Sequence, residues 1–546
     1  MTVAGLLLAS TLALPLLMVV ACLKPFVRAR ALDLLPFAPL PGLIAALLAP
    51  GGALVLAPDP MRMVLTLDTA GAVLLGGAAL LWTFAGLYAR SYMKADPKAA
   101  RFAVWWLLTL AGSLGVFIVA DIASFYLMFA LVSLSAFGLV SHEGTPGAAR
   151  ASFIYMLLAI VGEALLLLAF VMLAVGAQGN PLIGEALASL PGSPWEGAII
   201  ILLVLGFGLK MGLVPLHVWM PLAHPVAPMP ASAALSGIVV KAGVIGLIRF
   251  LPLDVGLPDW GTALSVLGLA TAYYAVLVGI TQQHPKTVLA YSTVSQMGLV
   301  AALIGAGMAA GSPLTGDFAA YYALHHMLVK GALFLGVGVS AAGGRRLPSI
   351  MAVMTVLALS LAGLPLTSGA LAKYATKGII HSDLIAALMT LSAAGSALLM
   401  LHFLWLLAEF GEREPQARKP TVRPALGLVL PFAGIAAAAL VVPWLLLETV
   451  TGYRPAAMLG LDALWKGSWP LIVGGLLFQQ LRRASGRLPR IPEGDVVVLA
   501  EAAAPWVVRF SVALERADGV LRRWPVAGIA LLAIVLALGA ALRLAS

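Results

Sequence analysis

One cysteine, Cys22, stands in the 546 residues, so the chain builds no disulfide within itself, no cysteine-ligated iron–sulfur cluster and no Cys-rich zinc site. Charge is almost as scarce: Asp, Glu, Lys and Arg make up 10% of the residues against 62% hydrophobic ones. Soluble domains carry about 25% charge to cover their surface, so this composition excludes one. No phosphate-cradling glycine loop stands outside the apolar runs, and Gly206 and Gly208 fall inside one, where they read as close helix packing. No basic residue precedes the first apolar run, from about Val3 to Cys22, whereas Lys24, Arg28 and Arg30 follow it. That is the reverse of a secretory signal, and the run reads as a retained span.

What is present is a series of long, nearly uncharged apolar runs, each able to cross a hydrocarbon core as a helix. Lipid cannot hydrogen-bond a bare backbone, so helices are the expected form. Sixteen spans are expected, at about 3–22, 35–57, 66–88, 104–120, 122–140, 151–175, 197–219, 231–250, 262–281, 287–307, 317–340, 350–376, 383–408, 425–447, 467–481 and 525–544. Loops after odd-numbered spans hold nineteen Lys and Arg residues, Lys286 among them. Loops after even-numbered spans hold five: Arg62, Arg249, Lys377, Arg454 and Lys466. The asymmetry predicts odd loops in the cytoplasm and both termini outside. It also accounts for the net charge of +10 as topology, not as a nucleic-acid surface. Between Ile491 and Trp524 charges such as Arg509, Glu515, Arg516, Asp518, Arg522 and Arg523 alternate with apolar residues. A helix lying along the cytoplasmic membrane face, or a cytoplasmic loop packed on a partner, fits that pattern.

A few ionisable residues remain inside spans. The lysines are Lys210, Lys241, Lys330 and Lys373; His325 and His326 stand one turn before Lys330; His402 falls late in its span. Glu163 is the one clearly mid-span carboxylate, with Asp68 and Asp121 near span ends. Each mid-span charge costs roughly 2.5–3.5 kcal/mol on insertion scales. Snorkelling spares a lysine near a span end that cost, but Lys210 and Lys330 have about two apolar turns or more on either side. Lysine suits proton storage, since desolvation favours its neutral form and a nearby carboxylate its charged form. Histidines between lysines supply relay sites. For Asp68 and His402, packing or interfacial roles are as good an account.

Two spans are interrupted beside their lysine. Span seven reads Gly208-Leu-Lys210-Met-Gly-Leu-Val-Pro215, and span twelve reads Gly363-Leu-Pro365-Leu-Thr-Ser-Gly369 before Lys373. Breaks at matching positions in two halves point to an inverted-repeat transporter. The expected fold is all-α and integral to the membrane, with about 14–16 transmembrane helices and two inverted five-helix repeats, spans 4–8 and 9–13, broken at spans 7 and 12. The expected organisation is 1–103 for the first three spans, 104–250 and 262–408 for the repeats, and 425–546 for the C-terminal spans with their amphipathic segment.

The segment from Lys210 through His217, Trp219 and Pro221 to His224 resembles the signature of the antiporter-like subunits of respiratory complex I, hydrogenase-4-type hydrogenases and Mrp-type Na⁺/H⁺ antiporters. The likeness continues through Pro228-Met-Pro230-Ala-Ser232 to Lys241, through Lys286 to Gly298 by way of Tyr291-Ser292-Thr293 and Ser295-Gln296, through His326-Met-Leu-Val-Lys330, and through Gly363 to Lys373. It covers about Leu67 to Phe410, and the rest is loosely similar to the D-type Mrp subunit. The resemblance implies proton transfer along a polar axis at mid-membrane. Lys210 would be the central lysine of the first half, Lys241 the connecting one, His326 and Lys330 the link, and Lys373 the distal site. In one place the sequence departs from the family. Where Trp-Glu usually precedes the Leu-x-Ser-Leu-Ser run, Phe129-Ala130 precedes Leu131-Val-Ser133-Leu-Ser135, and Glu163 is the expected replacement, reaching Lys210 from the neighbouring helix.

Three functions compete. The first is a proton- or cation-translocating subunit of a larger respiratory, hydrogenase-like or cation/proton antiporter complex, in a bacterial-type inner membrane, partnered by other membrane subunits, protons or Na⁺, and lipid. The second is a membrane module coupled to inorganic-carbon uptake, and the third a non-conducting scaffold. The chain shows no cofactor or metal ligands, so any redox chemistry of a translocase would belong to its partners.

Overall fold

Pro50-Gly51-Gly52 cannot continue a helix, and the second apolar run divides there. In the computed structural model, which describes residues 2–56, 62–177, 179, 181–343, 347–410, 424–484 and 489–521, α1 is Val3–Ala21 and α2 is Ala31–Leu48. Gly51, at φ 77°, turns the chain into strand β1 (Ala53–Val55), which pairs antiparallel with β2 (Val64–Thr66). The span expected at 35–57 is therefore a helix ending at Leu48 and one arm of a hairpin, the one sheet among the described residues.

The helices that follow are α3 (Thr69–Tyr92), α4 (Ala99–Gly115), α5 (Ile122–Val140), α6 (Pro146–Gly176), α7 (Glu196–Met211), α8 (Trp219–Val226), α9 (Met229–Phe250), α10 (Pro258–Gly279), α11 (Pro285–Ala310), α12 (Thr315–Ala341), α13 (Pro348–Ala362), α14 (Ser368–Ala375), α15 (Asp383–Glu409), α16 (Leu426–Thr451) and α17 (Leu461–Ala484). Among the described residues twelve helices are long and apolar enough to cross a membrane, with α4 and α13 shorter apolar ones. The protein is thus an all-α integral membrane protein. The expected last span, 525–544, lies outside the described residues, as do Arg345, Arg346, Arg413, Arg418, Lys419, Arg423 and Arg487 of the loop count and Arg522 and Arg523 of the amphipathic segment.

Residues up to Glu493 form one compact unit. The second unit is represented by α18 (Asp495–Leu521). The helix expected there forms, and its stretch Asp495–Arg516 is also long and apolar enough to cross a membrane.

Span ends are fixed by acidic caps. Asp68 accepts from Gly71 N at 2.7 Å to open α3 and pairs with Arg249 at 3.1 Å. Asp121 accepts from Ser124 N at 2.8 Å to open α5 and from Val64 N at 2.9 Å, tying β2 to that turn. Both carboxylates do structural work at helix starts.

The centre of the bundle is α11 and α12. Every residue from Pro285 to Met308 and from Phe318 to Ser340 is buried, so these helices are wrapped on all sides by protein. Glycines let α10 approach α11. A Cβ on Gly298 would lie 2.5 Å from the Gly268 carbonyl oxygen, and one on Gly305 would lie 2.6 Å from that of Gly261. The two pairs repeat at seven residues on each helix, a small-residue contact that brings backbones together where lipid supplies no hydrophobic drive.

Gly298→Ala should destabilise the fold by about 1–3 kcal/mol through overpacking, whereas Gly475→Ala, in open space within α17, should be neutral or stabilising by up to about 1 kcal/mol. Thermal unfolding in detergent checks both signs.

Between α3 and α4, Asp96 meets His142 at 2.9 Å and accepts from Lys98 N at 2.7 Å. Burial opposes ionisation, but the His142 and Lys98 hydrogen bonds outweigh it and hold the Asp96 carboxyl below its ordinary value. A carboxylate lowered on folding stabilises above its unfolded value and loses that effect as pH falls through the folded one. Asp96→Asn should therefore lower the unfolding midpoint at neutral pH and converge with wild type in acid below the carboxylate range.

Candidate functional site

In α6, residues 148, 151, 155, 159, 162, 166, 169 and 173 are buried at helical spacing, while Phe153, Leu157, Ile160, Leu167 and Val171 are exposed on the other side. Tyr155 and Glu163 share the buried stripe, about 12 Å apart along the axis at the helical rise. Gly162 and Gly206 let α7 press against this stripe, since a Cβ on Gly206 would lie 3.2 Å from the Gly162 carbonyl oxygen. That contact delivers Lys210, in the last turn of α7, into the space between α5 and α6. Its ammonium donates to Ser133 Oγ at 2.9 Å and to Tyr155 OH at 3.3 Å, with the Phe129 ring centroid at 5.7 Å. Glu163 is 7% exposed, and neither of its oxygens is hydrogen bonded among the described residues. Its carboxylate lies within electrostatic reach of Ser133 and Lys210, and among the described residues it forms no ion pair within 4 Å. Ala130 is half-buried on α5.

The first break begins at Gly212, left-handed at φ 78°, and contains the cis peptide Val214-Pro215. Backbone groups freed by the break are re-satisfied by neighbours: Val214 N donates to Thr271 Oγ1 at 3.1 Å, and Trp219 Nε1 donates to Leu209 O at 2.9 Å. The second break begins at Gly363, φ 102°, and continues through Pro365 to Leu366, which holds φ 62°. A left-handed non-glycine residue costs roughly 1–2 kcal/mol. Gly369 N donates to Ser360 Oγ at 3.3 Å across the gap. The two lysines sit on opposite sides of their breaks. Lys210 closes the first half-helix, whereas Lys373 belongs to the second and donates back to Ala362 O at 2.6 Å.

A π-helical turn at Leu235–Val239 interrupts α9 just before Lys241. Lys241 is fully buried, donates to Ser236 O at 3.3 Å and meets His326 Nδ1 at 2.5 Å. Ser236 Oγ shares a hydrogen bond with Thr293 Oγ1 at 2.7 Å. Thr293 Oγ1 and Ser292 Oγ both donate to Leu289 O, at 3.1 and 2.9 Å, and Lys330 donates to the same carbonyl at 2.8 Å and to Ser292 Oγ. His326 and Lys330 are one turn apart on α12. The result is a run of polar contacts from Lys330 through α11 and the π turn to Lys241 and His326, which shares α12 with Lys330.

His325 points elsewhere. Its Nδ1 meets Ser368 Oγ at 2.9 Å, and Ser368 in turn contacts Ser360 Oγ at 3.3 Å across the second break. Two successive residues of one helix thus address the connecting lysine and the second broken helix. Of the expected residues, Lys241, His326 and Lys330 are brought together, and Glu163 stands with Lys210. No hydrogen bond directly joins Lys210 to Lys241 or His325 to Lys373 among the described residues. His402 Nε2 meets Gln282 O at 2.9 Å, away from this line. Lys286, counted with the loops, is buried at the start of α11 and donates to Pro225 O at 3.0 Å and Ala227 O at 2.6 Å, closing the end of α8. Sequence reasoning did not single out Tyr155, Ser236 or Ser368. Neutral hydroxyls carry no insertion penalty large enough to mark them.

Fold and buried charge together define a multi-pass membrane protein of the antiporter-like class. Residues 119–402, more than half of the chain, match the family described as NADH:quinone oxidoreductase/Mrp antiporter, TM, and the chain belongs to that family. It is 30% identical over 340 residues to hydrogenase-4 component B of Escherichia coli (strain K12), covering 58% of this chain and 50% of that protein. It is 30% identical over 353 residues to NADH-quinone oxidoreductase subunit M of Rhodobacter capsulatus, covering 59% and 68%. It is 32% identical over 319 residues to the putative antiporter subunit mnhA2 of Staphylococcus haemolyticus, covering 52% and 39%. The chain thus spans about half the length of the first of these relatives and less of the third. Its fold is similar to a chain of the Mrp complex from Dietzia sp. DQ12-45-1b, with a TM-score of 0.79, 21% identity, and coverage of 100% of this chain and 63% of that one. It is also similar to a chain of the archaeal membrane-bound sulfane sulfur reductase, with a TM-score of 0.68, 21% identity, and coverage of 86% and 99%.

His326→Leu should leave Lys241 with the Ser236 carbonyl as its remaining acceptor and cost about 1–3 kcal/mol. His325→Leu should cost less, because Ser368 keeps Ser360. Unfolding midpoints of the two purified variants give the order.

Proposed function

We propose that this chain is an ion-translocating membrane subunit of a respiratory, hydrogenase-like or Mrp-type complex, passing protons at mid-membrane along Glu163, Lys210, Lys241, His326, Lys330, His325 and Lys373. The observation that carries the reading is the pair of adjacent histidines, one on Lys241 and the other on the second broken helix. A proton arriving at Lys241 has His326 as its acceptor, and a rotation of either imidazole changes which half of the protein it serves. Buried ammonium groups held by hydroxyls and carbonyls keep no fixed counter-charge, so each is free to lose its proton when a neighbour gains one. Family membership supports a membrane subunit working beside others, and the loop charges support odd loops in the cytoplasm of a bacterial-type inner membrane with both termini outside. Protons suit the titratable groups along the line, and Na⁺ stands as the alternative cargo. The two five-helix groups, each broken at its fourth span, support the inverted-repeat organisation.

A scaffold role is the second reading, favoured by Ala130 where the family carries a glutamate. Glu163 is the group that separates the two.

Proteoliposomes holding the complex should show proton flux, and Lys210→Ala and Glu163→Gln should each reduce it by roughly tenfold or more. Unchanged flux in both variants would count decisively for the scaffold.

A further inference from the structure

A cavity of about 440 Å³ lies where α14 and its following turn meet the first turns of α15 and α17. Three lysines line it, Lys373, Lys377 and Lys466, with Met389, Met458 and Trp469 among its apolar wall. Among the described residues Asp462, 72% exposed, pairs with Lys466 at 2.8 Å. Lys377 lies over the Tyr374 ring at 4.6 Å, and Lys373 donates to Ala362 O. Three lysines against that carboxylate give the cavity more basic than acidic side chains among the described residues. The Lys377 ammonium is correspondingly easier to deprotonate than usual, through burial first and the charge of Lys466 second, with Asp462 opposing.

The placement is unexpected on topological grounds. Lys377, Arg454 and Lys466 are three of the five basic residues that the expected spans leave in even-numbered loops, and Lys466 falls inside α17. Lysines on that side act against the orientation that the other loops enforce. Two of them nevertheless converge on one partly apolar cavity.

We propose that this cavity binds a phosphate-bearing anion, held by Lys377 and Lys466 beside Lys373. Lysine takes phosphate as a point charge without needing a fixed fork geometry, and the apolar wall has room for hydrocarbon attached to the phosphate, as on an anionic phospholipid. The inference goes beyond ion transfer and is read by binding, so it stands or falls separately from flux.

The test uses the full chain, purified in detergent and stripped of lipid, with thermal unfolding followed during titration with phosphatidylglycerol, phosphatidylcholine or inorganic phosphate. Phosphatidylglycerol should raise the midpoint, and the Lys377→Ala/Lys466→Ala variant should need roughly tenfold more of it for the same shift. Lys377→Arg/Lys466→Arg should retain the response. A response to inorganic phosphate that the alanine variant loses supports the site with the free anion as its source. Amine labelling of Lys377 and Lys466 in the wild type, read by mass spectrometry, should fall as ligand is added, which holds even where the alanine variant does not fold. Equal shifts with phosphatidylcholine, an unchanged response in the alanine variant, or labelling indifferent to every ligand would overturn the proposal.

Discussion

An ammonium group taken out of water must find acceptors inside the protein or give up its charge, because hydrocarbon supplies none. Lys210, Lys241 and Lys330 meet that constraint without a carboxylate in hydrogen-bonding contact. Their acceptors are hydroxyls, helix carbonyls and one imidazole. A salt bridge would have fixed each charge more firmly, at a desolvation cost that excellent geometry alone offsets. Neutral acceptors leave the protonated and neutral forms of each lysine closer in free energy, which is the condition a relay needs.

The architecture follows from supplying those acceptors. A helix carbonyl is available to a side chain only where a neighbouring hydroxyl or a distortion exposes it. Leu289 O is reached by Ser292, Thr293 and Lys330 together, and Ser236 O is turned toward Lys241 by a π-helical turn. Both sites require α11 and α12 to be surrounded by protein, and the Gly268–Gly298 and Gly261–Gly305 contacts draw α10 close enough to complete the wall. α6 marks the opposite case, a helix with one buried stripe and one exposed apolar face.

The two halves solve the problem differently. The first break comes after its lysine and aims Lys210 at hydroxyls on α5 and α6, with Glu163 nearby and unbonded. The second break comes before its lysine, and Lys373 turns back onto the carbonyl that the break exposed, half-buried beside a cavity. The first half therefore holds its lysine beside an acid, and the second holds its lysine beside further positive charge.

The amino-acid sequence by itself determined the membrane class, most of the spans, both breaks and three of the buried lysines, Lys210, Lys241 and Lys330, because insertion cost makes a charge in an apolar run conspicuous. It misplaced the end of the second span, where a Pro-Gly-Gly turn leads into a hairpin of residues as apolar as the helix before it. It counted Lys286 with the loops, since a lysine two residues into a helix looks no different from one outside it. What only the tertiary structure decided was connection. The divergence of His325 from His326 depends on which helices flank α12, the run of contacts through Thr293 and Ser236 depends on three helices meeting, and the meeting of Lys377 with Lys466 depends on two segments nearly ninety residues apart. Hydroxyls and carbonyls that accept from a lysine are everywhere in such a chain, and packing alone selects the few that do.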